Sequence, residues 1–299
     1  MLDPTRPAPA DPWVTAWAGE IPRVLAGLAN ALQSGRLTEP VIHKSRRELK
    51  RLQSLLRLTP RSCAYLAEET REVTGDLRRR LGQSRDAAVM LKTLHAIAEE
   101  LGETEARIKP VLSNHHRNVA ATLDRGSRRG DRDRITRLGA VWRGRSVQGG
   151  VADLRRQAMK TYRTARRRAE ALGDGKDAAL HSLRKSVVDH QNHLAFFTGD
   201  ARSKIAKRHQ KVKRLRDELG LCHDLEVLRD FVRTRTDISA GDLIRLEEVL
   251  AARHRQLVKK SVKLAATLMH DKPRAFARWL KGEMPERRGS EDLDLAFGA

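Results

Sequence analysis

Residues 41–58 read VIHKSRRELKRLQSLLRL, and their basic and apolar side chains fall at different helical positions. At about 100° per residue, five basic side chains share one side of a helix, and the leucines occupy the other. The basic side consists of His43, Arg46, Arg47, Lys50 and Arg57. The spacing predicts an amphipathic helix whose basic stripe extends for about 20 Å, at about 1.5 Å per residue. Such a stripe is long enough to follow several consecutive anionic groups.

The rest of the chain shows the same helical period, without the alternation of apolar and polar residues that is typical of strands. We therefore predict an all-α fold of about ten helices. Glycines and prolines mark the expected helix ends, Gly82 and Gly220 among them. The stretch 124–150, rich in arginine and glycine, predicts a mobile basic connection.

The composition points to an anionic partner. The 299 residues include 60 Lys and Arg against 38 Asp and Glu, a formal charge of +22. Such a charge favours nucleic acid, another phosphate polymer or an anionic membrane surface. The two cysteines, Cys63 and Cys222, provide neither a disulfide framework nor a metal-ligand spacing. The N-terminus lacks the pattern of a signal peptide, and no apolar run approaches the length of about 20 residues that a membrane span requires. These features predict a soluble cytoplasmic protein.

An internal repeat relates the two halves of the chain. His43 and His181 are 138 positions apart (181 − 43 = 138), and many other residues match at this offset. The matches include Arg46 with Arg184, Arg47 with Lys185, Arg78 with Arg216, "LG" at 81–82 with "LG" at 219–220, and Asp86 with Asp224. We predict two helical-bundle halves, 12–149 and 150–281, followed by an acidic, disordered tail at 282–299.

These repeated residues carry a resemblance to a known family. A helix that opens His-x-x-Arg with further basic residues, followed by "LG" and then "RD" at 85–86, resembles the CHAD family, the conserved histidine α-helical domain. The resemblance extends from about residue 12 to 281. It implies two bundle halves related by a pseudo-twofold around a basic groove or pore that binds inorganic polyphosphate. The chain shows no E-x-E-x-K signature of the triphosphatase domain often found beside this family.

The resemblance also implies binding residues. His43, Arg46, Lys50 and Arg51 match the first basic motif, and Arg85 matches the "RD". In the second half the matching residues are His181, Arg184, Lys185, Lys213, Arg214 and Arg216. The second motif departs from the family pattern at Val188 and Gln191, where basic residues are usual, so we expect weaker anion binding there. A stripe on helix 200–220 that includes Lys207 and Lys211 is either a compensating anion site or a solvent-facing surface.

We find no pattern for catalysis, a metal or a cofactor. The pairs His190 with His193 and His115 with His116 lack the further ligands of a recognisable metal motif. We interpret His190 as a core histidine with a satisfied hydrogen bond. No phosphate-binding loop, nucleophile elbow or paired-carboxylate motif is present, and Asp86 and Asp224 are interpreted as helix-start residues. We therefore expect no metal, no cofactor and no enzymatic activity.

Two functions follow as competing hypotheses. The first is polyphosphate binding, which would place the protein on polyphosphate granules or present the polymer to polyphosphate-metabolising enzymes, without a membrane partner. The second is binding to the phosphate backbone of nucleic acid. Aromatic residues make up only 4% of the chain, which disfavours platforms that stack single-stranded bases.

Overall fold

The computed structural model describes residues 11–33, 38–121, 125–172 and 177–286. They contain no β-strand and form α-helices joined by short connections, which confirms the all-α prediction. The helices are α1 Pro12–Gln33, α2 Glu39–Leu55, α3 Ala64–Ala96, α4 Ala98–Leu101, α5 Glu103–Ala121, α6 Arg125–Arg143, α7 Val151–Glu170, α8 Asp177–Phe197, α9 Lys204–Val232, α10 Ala240–Leu268 and α11 Pro273–Glu283. The turns Leu56–Leu58 and Arg61–Cys63 are 3₁₀ helices. Most of the predicted acidic tail, residues 287–299, lies outside the described residues.

The helix bounds follow the offset seen in the sequence. Adding 138 to the bounds of α1 gives 150–171, and α7 spans Val151–Glu170. The same shift applied to α2 gives 177–193, and α8 spans Asp177–Phe197. It also carries α3 onto α9 within two residues at each end. The first three helices of each half therefore begin at equivalent sequence positions, within two residues.

Two hydrophobic cores hold these helices together, and both draw residues from each half. The larger core includes Trp17 of α1 and Phe276 of α11, both about fully buried. The smaller core joins the C-terminal parts of α3 and α9 to α5 and α10, with Ile108 and Leu246 at its centre. Both cores combine residues of 12–149 with residues of 150–281, so the two ranges pack against each other.

The prediction of a mobile connection at 124–150 is wrong for most of that stretch. Residues 125–143 form α6, which packs along α1. Ile135, Leu138 and Trp142, at helical spacing, are buried in the larger core, and the Trp142 indole donates a hydrogen bond to Thr70 Oγ1 at 2.9 Å. The surrounding arginines made this apolar stripe difficult to recognise in the sequence. The helix is stabilised by the packing of its apolar side on α1.

The predicted helix ends at Gly82 and Gly220 are also wrong. Helices α3 and α9 continue through both glycines, so Asp86 and Asp224 lie in helix interiors and not at helix starts. On α3 the larger core ends at Leu81 and the smaller begins at Ala87. The "LG…RD" segment is thus a polar layer between two cores, and the corresponding layer of α9 lies between Leu219 and Leu225.

In the part of the chain that the structure describes, no helix combines the length and apolar character that a membrane span needs.

Candidate anion-binding site

Four helices enclose a basic groove at the level of the polar layer. Helix α2 packs on α3 and α8, and α9 packs on the same two helices, so the four form a closed ring. Inside lie two adjoining cavities of about 410 and 520 Å³. Their shared lining consists of Arg46, Lys50, Arg85, Arg184 and Val188. We call the two cavities together the central groove.

The amphipathic pattern of α2 and α8 turns the basic residues inward to this groove. On α2, Leu49 and Leu52 are fully buried in the larger core, which leaves Lys50 at the groove. On α8, Leu183 and Val187 are likewise buried in the larger core, which leaves Arg184 at the groove. The hydrophobic side of each helix therefore fixes the direction of its cations.

The structure brings most of the predicted binding residues together. Those that line the central groove are His43, Arg46, Arg47, Lys50, Arg57, Arg78, Arg85, His181, Arg184, Lys185 and Arg216. They come from both halves of the sequence and from all four helices of the ring, with Arg57 in the 3₁₀ turn after α2. These eleven predicted residues therefore lie around one pair of adjoining cavities.

Five predicted residues do not line the central groove. Arg51 is directed away from it, and its guanidinium bonds to the carboxylate of the buried Glu20. The other four are exposed on α9: Lys207, Lys211, Lys213 and Arg214. Residues 207, 211 and 214 lie on the side of α9 opposite Arg216, at about 100° per residue, so the lysine stripe faces solvent and does not compensate for Val188.

Carboxylates neutralise some of the groove cations. Arg85 Nη1 lies 3.1 Å from Asp224 Oδ1, and Arg57 Nε lies 2.8 Å from Asp189 Oδ2. Arg216 pairs with its neighbour Asp217. These pairs orient three of the cations and reduce their attraction for an external anion.

Six other groove cations have no carboxylate within 4.0 Å among the described residues. They are Arg46, Arg47, Lys50, Arg78, Arg184 and Lys185. Arg46 is held by the backbone, because its Nη1 donates to the carbonyl oxygen of Arg78 at 3.0 Å. The groove therefore concentrates positive charge that carboxylates such as Asp86 and Asp224 offset only from a distance.

Burial in this field destabilises the charged forms of the central residues. The pKa of Lys50 falls from its ordinary value of 10.5 to about 7, because burial and then the nearby Arg184, Arg46 and Arg85 disfavour the ammonium. Burial also lowers the pKa values of Arg46 and Arg184. An anion in the groove would oppose these shifts, since its charge stabilises every cation around it.

The histidines near the starts of α2 and α8, His43 and His181, both have lowered pKa values. Burial, reinforced by Arg47, lowers the pKa of His43 below 6.5. Burial, reinforced by Lys185, lowers that of His181 in the same direction. A neutral imidazole can donate one hydrogen bond to a phosphate oxygen, and a bound anion would favour its protonation.

Sequence reasoning missed the part that Gly82 plays. A Cβ atom at this position would lie 3.0 Å from Arg46 Nη1, so glycine allows the guanidinium to cross α3 and reach the Arg78 carbonyl. The recurrence of "LG" was the available signal, but it suggested a helix end. His223, Arg79 and Asn192 also line the groove without having been predicted.

His190 lies in the core, but the predicted hydrogen bond is absent. Its ring packs 5.3 Å from the rings of Tyr162 and Phe276, measured between centroids, and neither nitrogen has a partner within the described protein. Burial accordingly lowers its pKa well below 6.5. The neighbouring His193 is different, because its Nε2 lies 2.7 Å from the carbonyl oxygen of Ser54.

Comparison with known proteins identifies the same architecture. The family model described as "CHAD domain" matches residues 23–233. The fold is similar to the crystal structure of the CHAD domain from the plant Ricinus communis, with a TM-score of 0.56 and 20% sequence identity over 89% of this chain and 94% of that one. At this identity the likeness supports the fold alone. No curated protein matches the sequence significantly.

Proposed function

Because the chain belongs to the CHAD domain family, we propose that it binds inorganic polyphosphate in the central groove. The observation that carries the proposal is the set of six groove cations without a carboxylate partner, three of which are Arg46, Lys50 and Arg184. Charge-assisted hydrogen bonds to phosphate oxygens are the strong kind, and the arginine fork can form two in parallel. A polyanion would supply the missing countercharges together.

The shape of the groove favours a linear polymer. Its larger cavity shares Arg57, Lys185 and Asp189 with a third cavity of about 470 Å³, so three concavities adjoin in series. Cations such as Lys160 and Arg168 continue along the third cavity. A chain with about one charge per phosphate could therefore meet basic side chains over an extended path.

The lining also favours polyphosphate over nucleic acid. None of the residues that line the central groove is Phe, Tyr or Trp, so the described site lacks the large aromatic side chains that form stacking platforms for single-stranded bases. Arginine, lysine and histidine donors instead match a ligand that consists of phosphate groups alone. In this proposal the protein binds without transforming the polymer, and its use is to attach to polyphosphate granules or to hold the polymer for an enzyme.

The test compares ligands and variants at about 150 mM salt, where nonspecific phosphate contacts are weakened. We expect long-chain polyphosphate to bind far more tightly than duplex DNA or single-stranded RNA of similar total charge. Arg46→Ala with Lys50→Ala should weaken polyphosphate binding at least tenfold, since contacts from charged donors contribute about 1.5–3 kcal/mol each.

A control variant with the same loss of charge separates the groove from the general surface. Lys207→Ala with Lys211→Ala removes two exposed cations of α9 and should change the affinity by less than the groove variant does. Circular dichroism checks that each variant keeps its helicity. Equal affinities for polyphosphate and DNA, or equal losses in the two double variants, would contradict binding in the groove.

A further inference from the structure

A cluster of metal-ligand side chains lies where α8, α9 and α10 meet. Asp177 is the first residue of α8, Glu226 belongs to α9 and His254 to α10. One potential ligand atom from each lies within 4.8 Å of the others. The ring of His223, one turn before Glu226, lies beside the cluster and also lines the central groove.

The contact between His254 and Glu226 is at the long limit of a hydrogen bond, and its length also matches the spacing of two ligands on one cation. His254 Nε2 lies 3.3 Å from Glu226 Oε1 and 3.7 Å from Asp177 Oδ1. His223 Nδ1 lies 3.6 Å from the other oxygen, Glu226 Oε2. Strong hydrogen bonds between nitrogen and oxygen are about 2.7–3.2 Å long. Tetrahedral zinc with bonds of about 2.0–2.2 Å instead separates its ligand atoms by about 3.3–3.6 Å.

We propose that Asp177, Glu226 and His254 form a binding site for one Zn²⁺ ion. An imidazole nitrogen with two carboxylates is a donor set that zinc accepts, whereas Mg²⁺ and Ca²⁺ prefer oxygen ligands alone. The two carboxylates balance the charge of the ion. With three protein ligands, one position of a tetrahedral site stays open to water, and the ion fastens the start of α8 to α9 and α10.

A second set of contacts prepares the ligands. Arg229 Nη2 bonds to Asp177 Oδ2 at 2.9 Å, which leaves Oδ1, the atom nearer to His254, free for the metal. Glu226 and His254 have side-chain exposures of 10% and 17%, so both are shielded from solvent. Outer contacts of this kind orient metal ligands and raise affinity.

The equivalent place in the first half lacks the site. Subtracting 138 from 177, 226 and 254 gives Glu39, Ala88 and His116. Ala88 stands where the second half has the carboxylate of Glu226. Glu39 forms an ion pair with Lys92, whose Nζ lies 2.6 Å from Glu39 Oε1. The repeat therefore supplies an internal comparison, in which the second half alone retains the ligand set.

The experiment uses the full chain without an affinity tag, stripped with a chelator and assayed without polyphosphate. After incubation with Zn²⁺ and gel filtration, elemental analysis should find one zinc per chain, and Mg²⁺ should not be retained. Substitution with Co²⁺ should give a visible absorption band sensitive to the ligands. The unaltered chain alone tests the idea, since absence of stoichiometric zinc would overturn it.

Variants then locate the ion. Glu226→Gln and His254→Asn should each weaken zinc binding at least tenfold and change the Co²⁺ band. The matched control, His116→Asn, removes the equivalent histidine of the first half and should bind zinc as the unaltered chain does. Undiminished zinc in the first two variants, or an equal loss in the control, would place the metal elsewhere. Because no step uses polyphosphate, these results are independent of the proposed function.

Discussion

Polyphosphate binding should depend on the protonation of Lys50. In the free protein its pKa is about 7, since burial and the neighbouring arginines disfavour the charged form. A polyanion in the groove attracts the ammonium, which offsets burial and repulsion and returns the pKa toward the ordinary value of 10.5. Binding therefore takes up a proton above pH 7, so affinity is highest below this pH and declines as the pH rises.

The size of this decline follows from the two pKa values. With a pKa of about 7 in the free state, Lys50 is half charged at pH 7 and about one hundredth charged at pH 9. If the bound form remains charged, the affinity falls about fiftyfold between these pH values. In the free protein this range lies above the titration of His43 and His181, whose pKa values are lowered from 6.5.

The assay is a titration of labelled polyphosphate by fluorescence anisotropy from pH 7 to 9 at constant ionic strength. Lys50→Arg is the decisive variant, because a guanidinium stays charged throughout and should give a nearly flat profile. Lys50→Met should bind more weakly at pH 7, with an equally flat profile. A flat profile in the unaltered chain, or a slope that persists in Lys50→Arg, would refute the assignment to Lys50.

Three further outcomes follow from the same groove. Val188→Lys adds a cation to the lining of both cavities and should tighten polyphosphate binding about tenfold with a steeper salt dependence, as titrations at several salt concentrations will show. Gly82→Ala should displace the Arg46 guanidinium and weaken polyphosphate binding severalfold in the same titration. The control is Gly75→Ala on the same helix. It should leave the affinity unchanged, because a Cβ atom there meets no other atom within 4 Å. Lys50→Met should raise the melting temperature of the ligand-free protein at pH 6, measured by calorimetry, because it removes a buried charge that Arg46 repels; a lower melting temperature would contradict this account.

The sequence by itself determined the helices and the basic side of α2. Helical periodicity is a relation between residues three and four positions apart, so the sequence alone contains the information that is needed to recognise it. The same holds for the offset of 138, which carries the first residue of α2 onto the first residue of α8. The helix prediction failed at α6, because its apolar stripe is surrounded by arginines. The stripe consists of Ile135, Leu138 and Trp142.

Only the tertiary structure decided which cations remain available to a ligand. Arg51 and Lys50 are neighbours in the sequence, yet Arg51 bonds to Glu20 while Lys50 enters the groove without a countercharge. Arg85 meets Asp224 from a position 139 residues away, which no local pattern indicates. Ion pairing and burial depend on distances in space between helices that are remote in the chain. For this reason the charge available in the groove, and the pKa of Lys50 that follows from it, are properties of the packed fold.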